Sequence, residues 1–125
     1  TPSAQSPQWR LMHSQVLAGM GKNQDAIKEL QSLIQEFPEL PEPYNNLGVL
    51  YAAQGNYEAA MSAFNSAVQA RPNYKIAIQN LGDLYTAMAQ QAYAKAKNIK
   101  EGPALLPLSA PAASTTTTTN VRSSR

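Results

Sequence analysis

Residues 41–74 read PEPYNNLGVLYAAQGNYEAAMSAFNSAVQARPNY, and the spacing within this stretch decides the fold. Tyr44, Leu47, Gly48 and Tyr51 recur every three to four residues, which lines them along one face of a helix. Ala60, Phe64, Ala67 and Val68 do the same for a second helix. Pro41 and Pro43 suit a first helical turn, where a missing N–H is not missed. Gly55 and Asn56 both tolerate positive φ and so mark a tight turn between the two helices. Pro72 cannot continue the second helix and closes the unit. The stretch is therefore a helical hairpin, with Gly48 and Ala60 lacking bulk where its two helices should cross. The larger Tyr44, Tyr51, Tyr57 and Phe64 are expected to fill the space around that crossing.

Working outward, the landmarks repeat at an offset of about 34 residues, a period typical of helical-hairpin arrays. Gly21 falls on Gly55, Ala26 on Ala60, Leu30 on Phe64 and Pro38 on Pro72. Leu47 falls on Leu81, Gly48 on Gly82 and Tyr51 on Tyr85. The first unit then runs from about Pro7 to Leu40, with helices over Trp9–Gly19 and Asp25–Phe37. It is less regular, carrying His13 and Ser14 where later units have Leu and Gly. The third unit starts near Lys75 and extends to about Gly102. Its first helix is clear through Ile78, Leu81, Gly82 and Tyr85, and Tyr85 is expected in a packing position. Its second is expected from about Gln91 with Ala94 in register, but Ala89 replaces the turn glycine. The turn there is expected to be looser or more helical than the other two.

The ends differ in character. Residues 1–6 are expected to fray, and 16 of the 23 residues from Pro103 to Arg125 are Ala, Pro, Ser or Thr. Such a stretch buries too little apolar surface to offset its ordering entropy and reads as a disordered linker or tail. Leu105, Leu106 and Leu108 are the exception and are candidates to fold back over the end of the third hairpin.

Composition excludes several function classes. Charged residues make up 14% against roughly 25% in typical domains, and the net charge is +2, so nothing argues for nucleic acid. Cys is absent and His13 is the only histidine, which removes disulfides, thiolate zinc sites and multi-histidine metal sites. No glycine loop of the phosphate-cradling kind is present and no Gly-x-Ser-x-Gly elbow surrounds a serine, so no enzyme and no cofactor is expected. Asp25 and Glu29 share a helix face, but a solvated acidic first turn explains them. Lys95, Lys97 and Lys100 suit a helix C-terminus. No apolar run is long enough to insert in a membrane. The chain neither opens with Met nor carries a basic stretch followed by an apolar one. Any signal peptide is expected to have been removed, or the chain to be a piece of something longer.

The pattern from Pro41 to Tyr74 is an aromatic residue, two residues, Leu-Gly, two residues, Tyr, then Ala, three residues, Phe and a closing Pro. It resembles the tetratricopeptide repeat, and the resemblance covers about Pro7 to Lys100. It implies an all-α, right-handed solenoid of three hairpins that binds a protein or peptide partner in its concave groove, without catalysis. By register, the groove is implied to be lined by Gln8, Leu11, Gln15 and Ala18 from the first unit. The second contributes Glu42, Asn45, Asn46, Val49, Ala52 and Ala53, and the third Ile76, Gln79, Asp83 and Thr86. Some members grip a terminal carboxylate with Lys and Arg; here the matching places hold Leu11, Ile76 and Asn80, with only Asn46 keeping the expected amide. That departure argues against a receptor for chaperone tails. The chain is also similar in texture to repeat segments of proteobacterial envelope proteins, which implies a periplasmic setting, with cytoplasm as the alternative. Two further roles follow: a self-associating module, since the third hairpin leaves an apolar face uncovered, or the docking arm of a larger envelope enzyme.

Overall fold

The structure, a computed structural model, describes residues 6–100. The expectations for residues 1–5, for the Ala/Pro/Ser/Thr-rich stretch and for Leu105, Leu106 and Leu108 lie outside the described residues. Among those described there are five α-helices and no strand: α1 (Pro7–Gly19), α2 (Asn23–Glu36), α3 (Pro41–Ala53), α4 (Tyr57–Ala70) and α5 (Lys75–Lys97). The chain divides into two compact units, one ending at Ala94 and one beginning at Lys95.

Within the first unit, α1 pairs with α2 and α3 with α4, the two expected hairpins, and α2 packs against α3 to stack one hairpin on the next. The all-α solenoid read from the repeat is thus the observed architecture. Local chemistry sets the helix starts. Ser6, expected at the frayed end, accepts a hydrogen bond on Oγ from the Trp9 N–H at 3.1 Å, and Pro7 follows it at the first helical position. Asn56 caps α4 in the same way, its Oδ1 accepting from the Ala59 N–H at 3.3 Å. Gly21 and Gly55 take φ of +82° and +80°, so each tight turn rests on a left-handed residue that any Cβ would strain.

The third unit departs from the expected hairpin. No turn interrupts it: α5 runs through Ala89 to Lys97 as one helix. Two signals that break the helix elsewhere are missing at this register. Ala89 stands where Gly21 and Gly55 supply positive φ, and Gln90 stands where Asn56 supplies an N-cap. With neither a left-handed hinge nor a cap, helix propagation wins.

The core follows the repeat. Ile27, Leu30, Leu33, Leu47 and Ala63 form one buried cluster spanning the first two hairpins. Ala60, Phe64 and Leu84 form a second that ties α5 to α4. At the crossing inside the second hairpin, a Cβ added to Gly48 would stand 2.6 Å from Phe64 Cε1, so the backbones pass as closely as a glycine permits. Tyr44, Tyr51 and Tyr57 are half-buried, as expected of gap fillers. Tyr85, expected to pack likewise, is 48% exposed, because among the described residues no second helix follows to cover it. In the second unit, the Asn98 and Ile99 N–H groups donate to the carbonyls of Lys95 and Ala96 and close the helix end.

Candidate functional site

α1, α3 and α5 are the first helices of their units, and two adjoining clefts run across them. One, of about 260 Å³, lies between α1 and α3 and is lined by Ser14, Gln15, Ala18, Leu30, Asn46, Val49 and Leu50. The other, of about 320 Å³, lies between α3 and α5, with Val49, Ala52, Ala53, Asn80, Asp83 and Ala87 at its rim and Tyr57, Phe64 and Leu84 beneath. Val49 belongs to both and joins them into one groove. Its lining reflects the repeat directly: Gln15, Val49 and Asp83 occupy the same position in three successive units.

The groove contains seven of the residues implied by register, namely Gln15, Ala18, Asn46, Val49, Ala52, Ala53 and Asp83. The others sit elsewhere. Leu11 is half-buried against the core and its carbonyl accepts from Ser14 Oγ at 2.6 Å. Glu42 faces Arg71, 3.9 Å away. Gln8, Ile76, Gln79 and Thr86 are exposed but line neither cleft, and Thr86 Oγ1 donates back to the Gly82 carbonyl in its own helix at 3.0 Å.

Asn45 is the sharpest difference. It is only 6% exposed, its Oδ1 accepts from Asn80 Nδ2 at 2.9 Å, and its Nδ2 donates to Asn46 Oδ1 at 3.4 Å. Its amide joins α3 to α5 instead of facing the groove. The same chain of amides brings Asn80 to the groove rim, where sequence reasoning considered it only as the site of a missing cation. The repeat offset that sets Asn80 on Asn46 was the available signal.

Outside the groove, a polar strut holds the first hairpin. Arg10 lies 3.3 Å from Glu29 and 3.0 Å from Glu36 and donates to Ser32 Oγ at 2.8 Å, its side chain 13% exposed. His13 stacks on Trp9 with ring centroids 4.9 Å apart, and its Nδ1 lies 3.4 Å from Glu29. These contacts knit α1 to α2, and the buried His13 Nδ1 makes no hydrogen bond within them. Near the end of α4, burial raises the Tyr74 phenol above the usual 10.0, and the Glu42 carboxylate adds to the shift. Arg71, over the ring at 5.5 Å from its centroid, opposes it.

Two stacked hairpins carrying the same landmarks, with their first helices forming one groove, are the structural counterpart of the repeat pattern. A family model of the tetratricopeptide repeat matches residues 11–75, just over half of the chain. The chain belongs to the tetratricopeptide repeat family. No curated protein matches it. Tetratricopeptide repeats in general mediate protein–protein interaction and are not catalytic. No helix among the described residues is long and apolar enough to cross a membrane.

Proposed function

We propose that this tetratricopeptide repeat protein binds an extended peptide segment of a partner protein in the groove across α1, α3 and α5. The observation that carries the reading is the row Gln15, Val49 and Asp83. Equivalent positions of three units face one continuous channel, as a ligand that crosses successive repeats requires. The channel suits a peptide backbone. Ala18, Ala52, Ala53 and Ala87 keep its walls low enough for main chain to approach, while Gln15, Asn46 and Asn80 offer amides that both donate and accept. Val49 gives the central apolar contact. Asp83 is the only formal charge on the lining, so the groove favours a segment that is neutral or carries a basic residue near its α5 end.

Selection of peptides from a random displayed library tests this, with a Val49→Glu/Ala53→Glu variant as the counter-target. Val49 and Ala53 are both exposed on α3, so the variant keeps its fold, which circular dichroism checks. Selected peptides should lose at least tenfold in affinity for the variant and compete with one another. Peptides that bind wild type and variant alike refute the groove as the site.

A further inference from the structure

α5 presents a face whose counterpart in the preceding unit is covered. At the repeat offset, Tyr44, Leu47, Gly48 and Tyr51 of α3 correspond to Ile78, Leu81, Gly82 and Tyr85 of α5. On α3 this face is packed by α4: Leu47 and Gly48 are buried, and a Cβ on Gly48 would strike the Phe64 ring. On α5 a Cβ added to Gly82 meets nothing within 4 Å, and Ile78 and Tyr85 are 47% and 48% exposed. The glycine that permits close helix approach is present, and among the described residues no helix approaches it. The reason is the missing turn at Ala89, which sends the following residues onward along α5 instead of back across it.

Ile78, Gly82, Tyr85, Ala89 and Ala92 follow one another at steps of four, three, four and three, the spacing of a helix–helix seam. Leu81 and Met88 flank it on the side of the core, and Tyr93, 71% exposed, flanks it on the other. The only charged residue between Ile78 and Tyr93 is Asp83, which lines the groove instead. Pairing of two such faces therefore buries no charge and opposes no like charges.

We propose that α5 pairs antiparallel with α5 of a second copy of this chain. Tyr85 of each copy lies against Ala89 of the other, and Gly82 against Ala92. The choice of a second copy rests on the size pattern along the seam. The bulky Tyr85 stands in its first half and alanines in its second, so an antiparallel partner of the same sequence sets Tyr85 against Ala89 twice and lets the backbones close up where Gly82 meets Ala92. A two-fold contact requires this self-complementarity, since residue i meets j and j meets i. The groove lies on another side of α5, so pairing leaves it open and stands or falls separately from peptide binding.

Sedimentation equilibrium of the full chain from low to high micromolar concentration should show a mass rising from 13.5 kDa towards twice that value. Tyr85→Glu and, separately, Gly82→Glu should each weaken dimerisation at least tenfold with helix content unchanged, both positions being exposed. Geometry is tested with cysteines, which the chain otherwise lacks. Gly82→Cys and Ala92→Cys chains, mixed and mildly oxidised, should give the 82–92 disulfide. An 82–82 bond should not form, because ten residues of rise separate those sites by about 15 Å, against a limit of about 7 Å. A dominant 82–82 disulfide, or a dimer indifferent to both glutamates, overturns the pairing. So does a wild-type chain that stays monomeric. In that event slow alkylation of the Gly82→Cys variant assigns the face to another segment of the same chain, and fast alkylation leaves it bare.

Discussion

Gly48 and Gly82 occupy the same place in successive units, yet alanine should act on them with opposite sign. At Gly48 the new Cβ would lie 2.6, 2.7 and 2.9 Å from three carbons of the Phe64 ring. Carbon atoms at rest sit about 3.5–4.0 Å apart, so α3 and α4 must separate by close to 1 Å or the ring must leave its place. Phe64 is 2% exposed and hemmed in by Ala60 and Leu84, so it has nowhere to go. Overpacking of this kind costs about 1–3 kcal/mol, against a gain of roughly 0.5–1 kcal/mol from replacing a mid-helix glycine. The net is a loss of up to about 2.5 kcal/mol, centred at roughly 1 kcal/mol. At Gly82 nothing lies within 4 Å, so only the helical gain remains, again roughly 0.5–1 kcal/mol. Thermal unfolding followed by circular dichroism reads both variants, at low micromolar concentration so that self-association does not contribute. For a domain of this size each kcal/mol moves Tm by about 4–8 °C, so Gly48→Ala should fall and Gly82→Ala should rise by several degrees. If Gly48→Ala rises as far as Gly82→Ala, the close crossing at Phe64 is not there, and the contrast between covered and uncovered faces fails with it.

Three further outcomes follow from the same geometry. Gly55→Ala should lower the urea midpoint by an amount equivalent to about 1–2 kcal/mol: the space is empty, so the cost is that of a left-handed alanine at φ +80°. Asn80→Leu strands the buried Asn45 carbonyl oxygen and should cost about 1–3 kcal/mol. Adding Asn45→Leu should then cost less than the two single changes together, and additive losses in a double-mutant cycle would remove the amide link between α3 and α5. Tyr74 holds its proton more tightly folded than unfolded, since burial and Glu42 both disfavour the phenolate. Its stability contribution is thus whole below pH about 10 and drains away as pH rises through the folded value. Ultraviolet difference titration of wild type against Tyr74→Phe should reveal one phenol ionising above 10.0, and a phenol ionising at or below it refutes the burial argument.

The two hairpins were legible in the linear pattern because each depends on local chemistry: apolar residues at helical spacing, a glycine that can turn left-handed, a proline that stops a helix. The fate of the third unit was legible only in part. The missing glycine at Ala89 was visible, but whether the chain would bend loosely or run on as helix depended on the competition between propagation and packing. Gln90 offers no cap, and Asn98 stands where Leu30 and Phe64 are the knobs of the earlier hairpins. Folding back therefore had little apolar surface to bury.

The groove shows the same boundary. Repeat register alone placed Gln15, Val49 and Asp83 in one row, because side chains at equivalent positions of stacked units must face the same way. Register could not separate Asn45 from Asn46, adjacent amides about a hundred degrees apart on one helix. Which of them meets solvent depends on how closely α5 approaches α3, and that distance is set by Leu84 seating against Ala60 and Phe64. Periodicity and turn chemistry act within a few residues and are written in the chain. Burial and the pairing of polar atoms arise between residues far apart in it, and only the packed helices decide them.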